Sequence, residues 1–254
     1  MRTLLVLCCL LLPASASAQE GRIAFQRALA NDFDVPEEMT QLRDRLPSHD
    51  VTDMLLVFDA SGSLMLPVPD DEGDRGPGRN DDRVDRRMAE VRIAFGGRDA
   101  QETFLQSYVS FADGTLTETR ELLGRTFRMS GPRPEYRWSL SSEQHEFLGY
   151  VVQKAMAESE GSTIEAWFTT QIPVPAGPGP YGGLPGTILV VSVDGGRILY
   201  TATAVELGTN GELAVGPPTD GDEVSREEYE KIVADKLEEI EQMRSARERR
   251  RPFE

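Results

Sequence analysis

Short segments rich in apolar and β-branched residues follow one another through most of the chain, with Gly, Pro, Asp and Ser between them. This pattern predicts a series of nine or ten strands. Three connections, "ADGT", "SEGS" and "DGG", are typical hairpin turns. Because most connections are short, we expect an antiparallel meander rather than a parallel sheet. The predicted strands cover residues 22–29, 51–58, 103–111, 115–123, 126–129, 136–140, 146–157, 163–172, 187–193 and 197–207.

Two segments have a helical pattern. Residues 36–46 begin with proline and two glutamates and are followed by Pro47, which predicts a short helix. Residues 225–250 begin with a capping box, Ser225 and Glu228. Six apolar residues then form one stripe at helical spacing: Tyr229, Ile232, Val233, Leu237, Ile240 and Met243. The pattern leaves open whether this amphipathic helix packs on the sheet, extends into solvent or binds a partner.

Two segments interrupt the periodic pattern. Residues 67–82, "PVPDDEGDRGPGRNDD", predict a disordered acidic insertion, and residues 209–224 predict a linker. The insertion lacks the regular acid spacing of a calcium loop, so we expect a solvated loop there. The chain then divides into N-terminal strands and a short helix at 19–66, a main β region at 83–208, and the C-terminal helix.

The first 18 residues have the pattern of an export signal. Arg2 precedes an apolar run at 4–12, and Ala16 and Ala18 predict cleavage after Ala18. A run of this length is too short to span a bilayer, which needs about 20 residues. No later stretch is long enough either. We therefore expect an exported protein that is not integral to a membrane and is periplasmic, outer-membrane associated or secreted.

Removal of the signal changes both the cysteine count and the charge. Cys8 and Cys9 both lie in the signal, so the mature chain is expected to have no disulfide and no thiolate metal site. It keeps 26 basic and 43 acidic residues, since only Arg2 is lost, for a net charge of −17. This charge repels nucleic acid and anionic membrane surfaces, so we expect no nucleic-acid partner.

The stretch Asp59-x-Ser61-x-Ser63 resembles the start of a metal-ion-dependent adhesion site in domains similar to von Willebrand factor type A. Such a site needs a helix directly after the motif, and the residues after Ser63 lack a helical pattern. We therefore interpret Asp59 as a turn-forming acid and keep a metal-dependent adhesion module as an alternative. The two histidines, His49 and His145, stand alone in sequence, so we predict no catalytic residue, metal site or cofactor.

Three stretches together resemble the GLPGLI family of exported bacterial envelope proteins. They are "EFLGYVVQKAMAE" at 146–158, "IEAWFTTQIPV" at 164–174 and "GPGPYGGLPGTILVV" at 177–191. Val152 and Thr187 depart from the pattern, where the family often has cysteine and an apolar residue. The resemblance implies export and a fold neighbourhood but no activity. Its motif positions are the candidate ligand-binding residues: Tyr150, Lys154, Trp167, Pro173, Tyr181, Gly183, Leu184, Pro185 and Gly186.

The "GLPG" stretch at 183–186 predicts a sharp corner that places Leu184 in the apolar layer. Trp167 and Tyr181 would cover this corner. The corner is either purely structural or the border of a ligand cleft. Strand alternation places Lys154 on one face with Tyr150, and Glu165 is a candidate ion-pair partner across the hairpin.

These observations predict a mainly β protein whose antiparallel sheet is curved or half open, with a short N-terminal and an amphipathic C-terminal helix. The leading function is non-enzymatic binding of an apolar ligand or an outer-membrane partner in the envelope. The concave side of such a sheet would suit a periplasmic carrier of an apolar ligand, by analogy of fold. A hydrolase is a further class, but no nucleophile–base pair supports it.

Overall fold

The computed structural model describes residues 20–30, 49–69, 102–209, 211 and 213–249. Three predictions therefore lie outside the described residues: the signal at 1–18, the short helix at 36–46 and the acidic insertion beyond residue 69. The described part is mainly β, with one helix near the C-terminal end. Its strands are β1 (Gly21–Ala30), β2 (His49–Phe58), β3 (Gly62–Pro67), β4 (Glu102–Ser110), β5 (Thr115–Leu122), β6 (Arg125–Pro132), β7 (Ser139–Phe147), β8 (Tyr150–Ser159), β9 (Ser162–Thr169), β10 (Thr187–Val193), β11 (Ile198–Leu207) and β12 (Asp222–Val224), and the helix α1 is Arg226–Arg249.

All twelve strands belong to one open sheet in the order β12-β6-β5-β4-β3-β2-β1-β11-β10-β9-β8-β7. Two antiparallel meanders, β1 to β6 and β7 to β11, are joined where β1 pairs with β11. The antiparallel prediction is therefore confirmed for the long strands. The prediction of a single meander is wrong, because the chain crosses from β6 to the opposite edge of the sheet. In addition, β12 pairs with β6 in parallel.

Two predicted strand boundaries are wrong for local reasons. Residues 146–157 are not one strand, because β7 turns into β8 at Leu148 and Gly149, which have φ values of 52° and 80°. A leucine in this left-handed conformation gives no turn signal in sequence. Residues 136–140 begin as an irregular link, and β12 forms inside the segment for which the sequence predicts a linker.

The short link from β6 to β7 requires the sheet to curl. Ten strand spacings separate β6 from β7, which would be about 48 Å in a flat sheet. The chain from Pro132 to Ser139 can reach only about 25 Å even when fully extended. The two edges of the sheet must therefore approach each other, and the expected curved sheet is observed.

One face of this sheet is concave and carries the core. Strand register places Ile23, Leu56, Met65, Ser107, Glu118 and Met129 side by side on this face, from β1 to β6. Side chains of distant strands also meet there, since the Arg27 guanidinium of β1 lies 5.7 Å from the Phe104 ring centre of β4. We call this surface the concave face and its reverse the convex face.

Two segments of the chain fill much of the concave face. The loop between β9 and β10 crosses it as far as β3, where the Gly179 N–H donates to Met65 Sδ at 3.0 Å. Helix α1 packs on β5 and β6 through Tyr229 and Val233, which are 2% and 1% exposed. The helix therefore docks on the sheet. Met243, at the far end of the predicted apolar stripe, is 58% exposed. Among the described residues, no helix is long and apolar enough to cross a membrane.

Candidate functional site

The corner at residues 183–186, which we call the GLPG corner, is a packed turn. Leu184 is 3% exposed and lies in an apolar cluster with residues of β8, β9 and β10. Gly183 has a φ of 86°, which favours glycine. A Cβ on Gly186 would lie only 2.1 Å from the Thr169 carbonyl oxygen. Leu184 thus enters the apolar layer, because two glycines allow the chain to turn and approach β9 closely.

Thr187 fixes the loop that leads into this corner. Its side chain is fully buried, and its hydroxyl donates to the Val174 carbonyl at 2.8 Å and contacts the Ile172 carbonyl at 3.3 Å. The Thr187 N–H also donates to the Ile172 carbonyl. These contacts satisfy the hydroxyl and the N–H of Thr187, so a polar residue is accommodated at this buried position.

The structure divides the sequence-derived candidates between two faces of the sheet. Ala166 and Phe168 pack with Leu184, so Trp167 between them points to the convex face. Lys154 is the cross-strand partner of Trp167 and shares that face. Trp167 therefore does not cover the GLPG corner as predicted. Tyr181 does pack against the cluster of Leu184. Tyr150 packs against the larger core cluster that contains Val152 and Ile172, and Pro173 lies between Ile172 and Val174, whose carbonyls contact the Thr187 hydroxyl.

The candidates on the convex face form an ion-pair cluster. Lys154 Nζ lies 2.8 Å from Glu165 Oε2 and 3.7 Å from Glu143 Oε2, as the sequence predicted for Glu165. The Trp167 indole N–H donates to Glu165 at 2.9 Å, and the His145 ring lies 5.0 Å from the Trp167 ring. We call these five residues the convex cluster. Burial raises the pKa of Glu165, but its hydrogen bonds from Lys154 and Trp167 outweigh burial and leave that pKa below its ordinary value.

A second group of residues, on the concave face, was not anticipated as a unit. The ring centres of Tyr200 and Tyr181 are 6.0 Å apart, and those of Tyr181 and Tyr136 are 5.7 Å apart. Trp138 continues the arrangement, 5.4 Å from Tyr136, and its indole N–H donates to the Gly182 carbonyl at 2.9 Å. We call Tyr136, Tyr181 and Tyr200 the tyrosine row. Its three residues come from β11, from the loop before the GLPG corner and from the link between β6 and β7.

The three phenols of the row stay protonated at neutral pH. Burial raises the pKa of Tyr136 to about 12. Burial also raises the pKa of Tyr181 and, against the nearby Arg27 guanidinium, that of Tyr200. The row therefore offers flat apolar faces and neutral hydroxyls, which can pack against a ring and exchange hydrogen bonds with it.

Two arginines flank the tyrosine row. Arg27 is the cross-strand partner of Tyr200, and within the described part of the chain its buried Nε has no hydrogen-bond partner. Arg133 lies beside the GLPG corner, where a Cβ on Gly182 would come within 2.4 Å of its Nη1. Burial lowers the pKa of Arg133, although Tyr136 partly offsets this effect. Only Tyr181 of this group carried a sequence signal, because the other residues are far apart in the chain.

The neighbouring charges on the concave face are paired. Arg120 lies 2.6 Å from Glu102 and 3.5 Å from Glu118, and Arg226 of α1 lies 2.5 Å from Glu118. Burial lowers the pKa of Arg120, but the two carboxylates outweigh burial and raise it above its ordinary value. This network joins α1 to β5 and so has a structural role.

Asp59 forms the turn between β2 and β3. Its Oδ1 accepts hydrogen bonds from the Ser61 N–H at 2.7 Å, the Ser61 hydroxyl at 2.6 Å and the Gly62 N–H at 3.3 Å. This matches the interpretation of Asp59 as a turn-forming acid. Within the described ranges, no three His, Cys, Asp or Glu side chains lie close enough together to hold a metal ion.

Comparisons with known proteins give a likeness of fold and a short match to a model of an uncharacterised family. Two solved structures of PNGF-II, in P21 and C2 crystal forms, each match with a TM-score of 0.52 and 16% sequence identity. Each match covers 85% of this chain and 33% of the PNGF-II chain, so this chain spans about a third of that length. At this identity the likeness concerns the fold alone.

A search of curated proteins finds no match. Residues 157–190 match a family model described as "Protein of unknown function (Porph_ging)". This stretch runs from the end of β8 through the GLPG corner into β10, so the short match includes Tyr181 and the turn that positions it.

Proposed function

We propose that this chain is a non-enzymatic binding protein of the cell envelope that holds a ring-bearing ligand against the tyrosine row. The observation that carries the proposal is the row itself, in which three neutral tyrosine rings lie in succession beside the GLPG corner. Aromatic faces bind flat or ring-shaped groups, and phenol hydroxyls orient their polar substituents.

A ring with polar substituents fits better than a purely apolar ligand. Much of the apolar surface of the concave face is already buried by the chain's own residues, among them Ile172, Val174 and Leu184. The partly exposed remainder near the corner is aromatic and polar. A carrier of an apolar ligand is therefore less well supported than a binder of substituted rings.

Binding can be tested by calorimetry with four probes: tri-galacturonic acid, 1-naphthoic acid and the methyl ester of each. We expect at least one probe to bind, and Tyr181→Leu to weaken it about tenfold by removing ring stacking. Trp167→Leu is the matched control, because Trp167 lies on the convex face. Failure of all four probes at millimolar concentration would overturn the proposal, as would equal losses in the two variants.

Export into the envelope is a separate part of the proposal and rests on the sequence pattern of residues 1–18. Mass spectrometry of the protein recovered from a periplasmic fraction should show a chain that begins at Gln19. A chain in that fraction that still contains Met1, or absence of the protein from the fraction, would contradict it.

A second candidate function is binding of an outer-membrane partner along β7. Seven of its nine residues are exposed, and no described strand pairs with its outer side. An open strand edge can accept an extended segment of another protein. A photocrosslinking residue at Gln144 should capture one envelope protein in living cells, whereas one at Thr203, exposed on an inner strand, should not. Absence of any specific product at Gln144 would reject this candidate.

The metal-dependent adhesion module is less well supported, because the Asp59 carboxylate is already used by its own turn. Calorimetry with magnesium and calcium tests it directly. Heat of binding that disappears in Asp59→Asn would favour an adhesion module. Absence of heat at millimolar ion concentrations would reject this candidate.

A further inference from the structure

We infer that the ligand of the tyrosine row is an anion, held by the guanidinium groups of Arg27 and Arg133 on either side of the row. This inference rests on the proposed binding function and specifies the chemistry of the ligand. Next to the surface at which a ring would bind, the structure shows two cations that have no carboxylate partner among the described residues.

The first cation, Arg27, is held in place on the concave face by its neighbours. It pairs across strands with Tyr200 and lies over the Phe104 ring at 5.7 Å. No described residue offers its buried Nε a hydrogen-bond partner. The residue as a whole is half-buried, and a partly desolvated guanidinium without a carboxylate partner among the described residues favours binding of an anion.

The second cation, Arg133, is packed beside the GLPG corner and Tyr136. Its backbone N–H is fixed by the Gly114 carbonyl at 3.0 Å. Its guanidinium lies so close to Gly182 that a Cβ there would collide with it. Arg133 therefore occupies a defined position at the Tyr136 end of the row.

Arg27 and Arg133 differ from most arginines of the described sheet, which have an ion pair; the exposed Arg137 also has none. In the part of the chain that the structure describes, neither Arg27 nor Arg133 has a carboxylate within ion-pair distance. Six other arginines do: Arg22, Arg120, Arg125, Arg128, Arg197 and Arg226. The chain has 43 acidic residues and a net charge of −16, so a shortage of acids does not explain why the half-buried Arg27 and Arg133 lack ion pairs.

The geometry indicates the size and chemistry of the anion. The outer ring centres of the row are no more than about 12 Å apart, since the two intermediate separations are 6.0 and 5.7 Å. A ligand of two or three rings with carboxylates along its length could reach both arginines. Planar guanidinium groups bind carboxylates through paired, charge-assisted hydrogen bonds. Acidic sugars and aromatic carboxylates share this chemistry.

The four probes named above distinguish these sources. We expect tri-galacturonic acid or 1-naphthoic acid to bind at least tenfold more tightly than its own methyl ester, since each charged hydrogen bond contributes to affinity. A higher salt concentration should weaken binding of the acid and leave binding of the ester unchanged. Preference for the sugar acid identifies an acidic glycan site, and preference for the naphthoate identifies an aromatic acid site.

The variant Arg27→Met separates a ligand-binding role from a structural one. It should remove the difference between acid and ester while the melting temperature of the ligand-free protein stays equal or rises, because no carboxylate among the described residues loses its partner. With tri-galacturonic acid, whose carboxylates can reach both arginines, Arg133→Met should act in the same direction. Arg125→Met, which breaks an exposed ion pair with Asp222, is the control and should not alter binding.

Two results would overturn the inference. One is equal affinity for acid and ester in the unmodified protein. This result would be compatible with ring binding but would contradict an anionic ligand. The other is a lowered melting temperature in Arg27→Met with the preference for the acid retained, which would show that Arg27 supports the fold. Absence of binding by every probe would instead reject the proposed function, and the inference with it.

Discussion

Glu118 of β5 and Arg226 of α1 form the contact that attaches the C-terminal helix to the concave face. Arg226 Nη2 lies 2.5 Å from Glu118 Oε2, and the Glu118 residue is only 3% exposed. The same carboxylate lies 3.5 Å from Arg120, which in turn binds Glu102. A buried carboxylate thus holds two arginines, one from the sheet and one from the first turn of the helix.

Replacing Glu118 by Gln should destabilise the protein. It removes the buried partner of both arginines, and breaking such a pair costs about 3 kcal/mol, less here because Arg226 is half exposed. Urea unfolding measures the change. Glu223→Gln, which breaks an exposed pair with Arg128, should cost less than about 1 kcal/mol. Equal effects of the two variants would show that Glu118 does not hold the helix.

Gly186→Ala should disrupt the GLPG corner. The new methyl group would meet the Thr169 carbonyl oxygen at 2.1 Å, and the backbone φ of 152° disfavours a side chain. We expect a loss of more than about 2 kcal/mol in unfolding free energy. Gly131→Ala is the control, since nothing lies within 4 Å of a Cβ at that position. A thermal midpoint unchanged by Gly186→Ala would contradict the described corner.

The Lys154–Glu165 pair predicts a pH-dependent contribution to stability. The folded pKa of Glu165 lies below its ordinary value of 4.5, so its contribution is present above that pH and disappears as pH falls through the folded value. The folded pKa of Lys154 is raised above 10.5, so the pair is lost again only in strongly alkaline solution.

Comparison with Glu165→Gln tests this prediction. The unfolding free energy of the unmodified protein should exceed that of the variant at about pH 7, and the difference should shrink as the pH falls below 4.5 and through the folded pKa of Glu165. Urea unfolding at several pH values provides the measurement. A difference that is independent of pH would show that the charge of Glu165 contributes nothing.

Ser225→Ala should weaken the start of α1. The Ser225 hydroxyl accepts from the Glu228 N–H at 3.1 Å, and Glu228 Oε2 accepts from the Ser225 N–H at 2.8 Å. Loss of this capping box should cost about 1 kcal/mol, whereas Ser225→Asn should cost far less because asparagine is also a good N-cap. Similar losses in both variants, seen by helix circular dichroism during thermal unfolding, would be inconsistent with capping.

The sequence predicted the features whose causes lie within a few residues. The capping box at Ser225, the Asp59 turn and the hairpin at Asp113 are all short-range hydrogen-bonded units. The strand β10 has the predicted bounds, because a continuous apolar run lies between turn residues. The turn at Leu148 was missed, since its leucine adopts a conformation that residue type does not signal.

The candidate site was predicted less completely. The motif residues shared a sequence pattern, but that pattern does not say which face of a strand each occupies relative to the loop. Successive residues of β9 point to opposite faces of the sheet. Ala166 therefore packs with Leu184, whereas Trp167 lies on the convex face. Tyr181 was anticipated near the GLPG corner. Its partners Tyr136 and Tyr200 come from distant segments and had no motif to mark them.

By itself, the sequence determined a mainly β chain with an acidic balance, a capped C-terminal helix and a glycine-rich corner, because each depends on composition or on neighbouring residues. Only the tertiary structure decided that β1 pairs with β11 and that the sheet curls until Arg27, Tyr200, Tyr181 and Arg133 share one surface. Such long-range pairing depends on the packing of the whole sheet and on the short reach of the link from β6 to β7, and no local pattern encodes either.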